Sequence, residues 1–218
     1  MVAWNPKDVT VRRIIKPVLF LLCLIPLAWL VARGLLHMLG ANPIEKVVRN
    51  TGEWTLRMLL VTLCVTPLRR FTGWAWLLKL RRMLGLFAFF YACCHLISYI
   101  VLDQFFAWDE IWKDIVKRPF ITVGMTAFVL LLPLATTSNQ YSMKRLGGKR
   151  WQALHQLVYV IGCLGILHYF WLVKADLLAP IVHGTILLSL LSYRAWYARN
   201  EQARRMAPSI AGGGNVAR

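Results

Sequence analysis

Acidic residues are scarce: 9 Asp plus Glu among 218 residues, against 26 Lys plus Arg and a formal charge of +17. Charged residues of both signs reach only 16%, hydrophobic residues make up 58%, and the mean hydropathy is +0.55. That balance excludes a disordered tail and an ordinary water-soluble domain. The five cysteines, Cys23, Cys64, Cys93, Cys94 and Cys163, all sit in apolar stretches, and none has metal-finger spacing. Neither a zinc finger nor a disulfide framework is implied. No Gly-x-Gly-x-x-Gly follows a predicted strand, Gly212-Gly213-Gly214 belongs to a tail, and the loops are too short for a βαβ unit. A Rossmann nucleotide domain is therefore excluded. In a soluble chain a charge of +17 would point to nucleic acid. Placed between apolar runs it marks cytoplasmic loops and anionic lipid instead, so no nucleic-acid partner is expected.

What the chain has is length of apolar sequence. A bilayer core takes about 20 apolar residues per helix, and six runs meet that need, at 17–39, 54–70, 83–102, 119–137, 151–173 and 178–197. The second is short. The first follows Lys7, Arg12, Arg13 and Lys16 but is long for a signal peptide and lacks a small-residue cleavage site, so it reads as an uncleaved helix. With alternating topology, 18 of the 26 basic residues fall on the side of the two termini and seven of the nine acids on the other. The positive-inside rule then puts both termini in the cytoplasm and favours an even number of spans. The expected fold is an all-α, six-helix transmembrane bundle over 17–197, with a cytoplasmic N-terminal segment, 1–16, and a cytoplasmic tail, 198–218, mobile from Ala207 onward.

Ionisable side chains inside spans are costly and so are functional candidates, and three of the five histidines qualify: His95, His155 and His168. At 1.5 Å rise per residue His168 lies about 20 Å above His155, and His95 lies about 21 Å above Arg81, which opens its helix. The third and fifth runs both ascend from the cytoplasm, so His95 and His168 share a level in the outer half of the membrane. Two imidazoles at one depth on neighbouring helices are what a six-coordinate b-type haem requires. His155 and His168 differ by about 220° around an ideal helix, so a kink or different approach angles are needed if both serve haem. Gly162 and Gly165, between them, are candidates for leaving room for a porphyrin face or for close helix contacts, where glycine is common in membranes. His37 and His183 fall at span ends where water is near, and Cys93-Cys94-His95 is not the Cys-x-x-Cys-His of covalent haem. Tryptophans such as Trp54, Trp108, Trp112 and Trp151 cluster near span ends, as an interfacial belt does.

Gly40-Ala-Asn-Pro-Ile-Glu45, Arg81-Arg-Met-Leu-Gly-Leu86 leading to His95, Lys117-Arg-Pro-Phe-Ile-Thr-Val-Gly124, Leu134-Ala-Thr-Thr-Ser138 and Gly148-Lys-Arg-Trp-Gln-Ala-Leu-His155 through His168 resemble the haem-binding membrane subunits of bacterial methionine sulfoxide reductase systems. This is the MsrQ or YedZ family, of the ferric reductase-like transmembrane superfamily. The resemblance spans roughly 5–200. It implies a multi-pass protein of the bacterial inner membrane carrying haem b and FMN and taking electrons from quinol. The implied acceptor is a periplasmic molybdopterin-containing methionine sulfoxide reductase, the catalytic partner of a heterodimer that repairs oxidised proteins. His155 and His168 match one histidine pair of the superfamily and His95 the outer member of the other. Arg81 stands where the inner member would be, and a guanidinium does not ligate iron. The resemblance thus implies one bis-histidine haem on His95 and His168. His155 is left to a second haem with an unusual partner, to FMN or to quinone, and Arg81 to a haem propionate, a flavin phosphate or a lipid phosphate. The outer loop 103–118 is open to two readings, a docking surface or an interfacial helix. Two rival readings remain: a self-sufficient ferric or quinone reductase on the same scaffold, and a cofactor-free scaffold or transporter.

Overall fold

Local signals fix where each helix begins and ends. In the computed structural model, which describes residues 6, 8–173 and 176–206, the described residues are helical or in short connections, with no strand. Helix α1 runs over Asp8–Leu35, π-helical at Val11–Ile15. Helix α2, Pro43–Thr72, is 30 residues long because strong caps bracket it. The Asn42 side chain accepts from the Glu45 amide, Pro43 takes the first-turn position that needs no donor, and Gly73 closes the other end at φ 73. Helix α3, Leu78–Ser98, is preceded by a 3₁₀ turn and continues as a π-helix at Tyr99–Asp103. Helix α4, Trp108–Lys117, is short, and α5, Pro119–Thr136, again starts on proline. The remainder comprises α6, Gln140–Leu146; α7, Gly148–His155; α8, Leu157–Leu172; and α9, Leu178–Met206.

By length and composition five helical stretches are able to cross a membrane: Asp8–Leu35, Ala75–Asp103, Pro119–Thr136, Gly148–Leu172 and Leu178–Arg204. They correspond to five of the six expected runs and make this a multi-pass membrane protein. The remaining run, 54–70, lies inside α2, which carries Glu53, Arg57, Arg69 and Arg70. Its apolar signal is diluted because this helix faces protein rather than lipid: Leu56, Leu59, Leu60 and Leu63 are all buried. Three boundaries also differ from expectation. The first helix stops at Leu35, with His37 just beyond it at a positive φ of 56. Part of loop 103–118 is helical, and α9 continues through Arg199 and Glu201 as a charged extension. The tail expected from Ala207 onward lies outside the described residues.

Helix α2 packs most extensively along α3, and α5 along α8; α9 lies against both α2 and α8. The core between them includes Leu84, Phe87, Ala88, Tyr91 and Ile161. Lipid offers apolar side chains as much as a protein core does, so polar ties between helices carry much of the specificity. Tyr91 donates to the Cys23 carbonyl at 2.7 Å, tying α3 to α1. Arg194 of α9 donates to the Tyr159 hydroxyl at 2.7 Å and to the Leu63 carbonyl at 2.8 Å, joining three helices with one guanidinium. A hydrogen bond to a charged group contributes about 1.5–3 kcal/mol. Arg194→Met is therefore expected to lower the thermal midpoint of the detergent-solubilised protein by several degrees, followed by tryptophan fluorescence. Arg194→Lys, which keeps the charge but not the two-pronged reach, should fall between the two.

Candidate functional site

The site is built from two matching half-sites. His95 projects from α3 toward α2, where its Nδ1 lies 2.9 Å from the Val48 carbonyl and its ring lies against Gly52, one turn on. His168 projects from α8 toward α5, where its Nδ1 lies 2.6 Å from the Phe120 carbonyl and its ring lies against Gly124, again one turn on. A carbonyl only accepts, so in each ring Nδ1 carries the proton and Nε2 keeps its lone pair. Neither Nε2 has a protein hydrogen bond among the described residues. The glycines are required by space rather than by backbone conformation. A Cβ at Gly52 would stand 3.0 Å from the His95 ring, and one at Gly124 would stand 2.8 Å from His168 Nδ1.

The two rings meet edge-on, with centroids 6.2 Å apart and planes at 74°. Two metal–imidazole bonds of about 2 Å each, plus the ring half-widths, span about that distance. Among the described residues no group of three or more His, Cys, Asp or Glu side chains is placed to hold a bare metal ion. A two-imidazole donor set instead fits a metal that brings its own in-plane ligands, as haem iron does. Beside this pair Glu53, next in sequence to Gly52, accepts from Arg57 at 2.8 Å and from the Tyr169 hydroxyl at 3.1 Å. Tyr169 follows His168, so this bond fastens α2 to α8 at the level of the imidazoles. His183 reaches the same neighbourhood: its Nδ1 lies 2.7 Å from the Ala179 carbonyl and its ring edge meets Tyr169 at 6.0 Å.

His155 sits apart, at the other end of the bundle. Its Nδ1 lies 3.0 Å from the Trp151 carbonyl, its ring stacks on the Trp151 indole at 3.8 Å, and its Nε2 is buried without a partner. Trp151 is held in turn by donating its indole N–H to the Thr137 carbonyl at 2.9 Å. Arg81 acts electrostatically on both His155 and Arg194, so this end of the bundle is cationic. The helical stretch is interrupted by a single turn residue, Gln156, between α7 and α8. Gly162 and Gly165, candidates for a porphyrin face or a helix contact, do not face the histidines. Gly162 meets Leu187 of α9, and Gly165 meets Leu56 of α2, so both serve helix packing.

Gly52, Gly124 and the Glu53–Tyr169 bond escape a reading of the sequence, although a signal existed. Glycine inside a helix costs about 1 kcal/mol relative to alanine, and Gly124 lies in an otherwise apolar helical run. Such a glycine marks a close approach, but only the folded chain shows what approaches.

Comparison with known proteins gives the family. Residues 51–166 match the family model described as the ferric reductase like transmembrane component. A relative from Herminiimonas arsenicoxydans, named protein-methionine-sulfoxide reductase heme-binding subunit MsrQ, is 55% identical over 93% of both chains. Proteins of the same name from Rhodospirillum rubrum and Azospira oryzae are 55% and 57% identical, over 87% and 83% of this chain and 91% and 78% of their own. No solved structure matches the chain. Matched by that model through its central helices and by these relatives over most of its length, the chain belongs to the MsrQ family of ferric reductase-like membrane proteins.

Proposed function

We propose that the chain is the haem b-binding electron-transfer subunit of a methionine sulfoxide reductase, with His95 and His168 as the axial ligands of one haem. The observation that carries this is the pair of half-sites, each holding an imidazole by its Nδ1, with the two ring centroids 6.2 Å apart. Haem supplies a one-electron carrier, and the protein sets its ligation, depth and surroundings. The carbonyls of Val48 and Phe120 hold the tautomers and raise ligand basicity, as outer partners of metal-bound histidine do. Glu53, already neutralised by Arg57, keeps α2 and α8 in register beside the pair.

The finer reading follows the family. Six spans, α2 included, place both termini in the cytoplasm of a bacterium whose inner membrane holds the protein, and put His95 and His168 toward the periplasm. Electrons come from quinol and leave to a periplasmic molybdopterin-containing partner, in a heterodimer. Sulfoxide reduction, which restores the apolar side chain of methionine, takes place in that partner. Its docking surface is α4 with Phe105 and Phe106, which leave Trp108 and Trp112 exposed beside Asp109 and Glu110. The cationic end of the bundle, with the free Nε2 of His155 and Arg81, holds a second haem, FMN or quinone. The reduced-minus-oxidised visible spectrum of protein purified after haem-replete expression, with pyridine haemochrome quantification, tests the core of this reading. A low-spin b-type spectrum with at least one haem per chain is the expected result. A colourless protein overturns it.

A further inference from the structure

Residues of α1, of α2 and of the loop between them line a cavity of about 310 Å³. This is the lower end of the range that small-molecule sites occupy. Along α1 the lining runs from Leu22, Ile25, Pro26 and Trp29 to Arg33; on α2 it takes in Lys46 and Asn50 near the loop, and Trp54 about 12 Å further along the helix than Lys46. The polar groups of the lining are mostly donors, a guanidinium and an ammonium near the loop, an amide, and an indole N–H deeper in, with no carboxylate and no histidine.

These donors are largely unspent. Arg33 gives one N–H to the Met38 carbonyl at 2.8 Å, which holds the side chain over the cavity mouth and leaves its other N–H groups over. The Lys46 and Asn50 side chains and the Trp54 indole N–H make no hydrogen bond among the described residues, although Arg57 lies over the Trp54 ring. The nearby acids are already engaged, Glu45 with Asn42 and Glu53 with Arg49 and Arg57. From Leu22 to Arg33 the wall extends about 16 Å along α1, close to the roughly 15 Å depth of one leaflet's hydrocarbon.

We propose that this cavity binds one acidic phospholipid, its phosphate between Arg33 and Lys46 and an acyl chain along Leu22, Ile25 and Trp29. The site matches an anionic, acceptor-rich head on an apolar tail in charge, in polarity order and in length. Quinol oxidation would release two protons with two electrons, and the lining has no side chain to accept them; a redox site for quinol is therefore not placed here. The proposal rests on the membrane-spanning fold and not on haem ligation, so haem content measured in the same samples keeps the two readings apart.

The test is native mass spectrometry of the full-length haem-loaded protein after delipidation in neutral detergent, with phosphatidylglycerol or phosphatidylcholine added back. One phosphatidylglycerol per chain should be retained in preference to phosphatidylcholine. Loss of each cation, in Arg33→Gln and Lys46→Gln, should weaken retention by about fivefold while the haem spectrum stays unchanged. Ile25→Trp, which fills the apolar end without changing charge, should also abolish the bound lipid. Equal retention of the two lipids, or undiminished phosphatidylglycerol in the double variant Arg33→Gln/Lys46→Gln, would overturn the proposal. Displacement of the lipid by an equimolar ubiquinone would overturn it as well and give the cavity to quinone.

Discussion

Replacing either His95 or His168 with alanine is expected to abolish the low-spin b-type spectrum, whereas His155→Ala leaves that spectrum in place. Loss of an outer partner alone costs metal sites about 10–100-fold in affinity, and loss of a ligand removes the bond itself. Haem retained through purification should therefore fall by at least about tenfold in both variants. The two changes should be equivalent because the half-sites are: each imidazole donates to a carbonyl of the neighbouring helix and rests on a glycine one turn later. Each substitution also strips a partner from a carbonyl in the half-buried site, Val48 or Phe120, at a cost of about 1–3 kcal/mol. Size-exclusion profiles of the detergent-purified variants separate loss of haem from loss of fold. A wild-type spectrum in either variant would mean that the paired imidazoles are a packing contact and that the ligands lie elsewhere. Haem stoichiometry in His155→Ala reports on the cationic end: a drop with the low-spin band retained assigns a second haem there.

Gly124→Ala is expected to come next in effect, although it removes no functional group. The added methyl would stand 2.8 Å from Nδ1, 2.9 Å from Cε1 and 3.3 Å from Cγ of His168, so it meets the ring broadside and not at a flexible tip. The ring has no room to retreat without giving up its 2.6 Å contact to the Phe120 carbonyl. Haem occupancy should fall about tenfold, within the range that loss of a ligand's outer partner produces. Gly52→Ala should be milder, because its closest approaches to His95 are 3.0, 3.1 and 3.5 Å. Both glycines lie inside helices, where alanine is favoured by about 1 kcal/mol. The apoprotein melting temperature should therefore hold steady or rise for Gly52→Ala even as haem binding weakens. Haem titration of the two apoproteins checks the order. Equal and full affinity in both would show that the glycines do not set the ring positions.

The depth of the histidines was legible in the sequence, because depth along a helix is a local quantity. Counting residues from Arg81 places His95, and counting from His155 places His168, without reference to any neighbour. Azimuth was less legible. The 220° offset left open a kink or different approach angles, and nothing in Trp151-Gln-Ala-Leu-His155 announces the turn residue Gln156 that interrupts the helix. The second helix was legible only in part. Its apolar run at 54–70 was visible, while the full extent from Pro43 to Thr72 was masked by Glu53 and the arginines that pair with it. Those charges look like a loop to a hydropathy window and turn out to be a neutralised cluster bonded to Tyr169. Gly162 and Gly165 stayed ambiguous between a porphyrin face and a helix contact, because a glycine reports that something comes close without reporting what.

The sequence by itself therefore determined the class of fold, the level of the imidazole pair and the family. Apolar run length, rise per residue and motif spacing are properties of one segment at a time. The tertiary structure alone decided which carbonyl fixes each tautomer, which glycine each ring rests on, and that His155 stands apart with its Nε2 free. Each of these is a contact between residues tens of positions apart, such as Val48 with His95 or Phe120 with His168. Such contacts exist only once α2 lies against α3 and α5 against α8, because the packing of whole helix faces brings the partners within bonding distance.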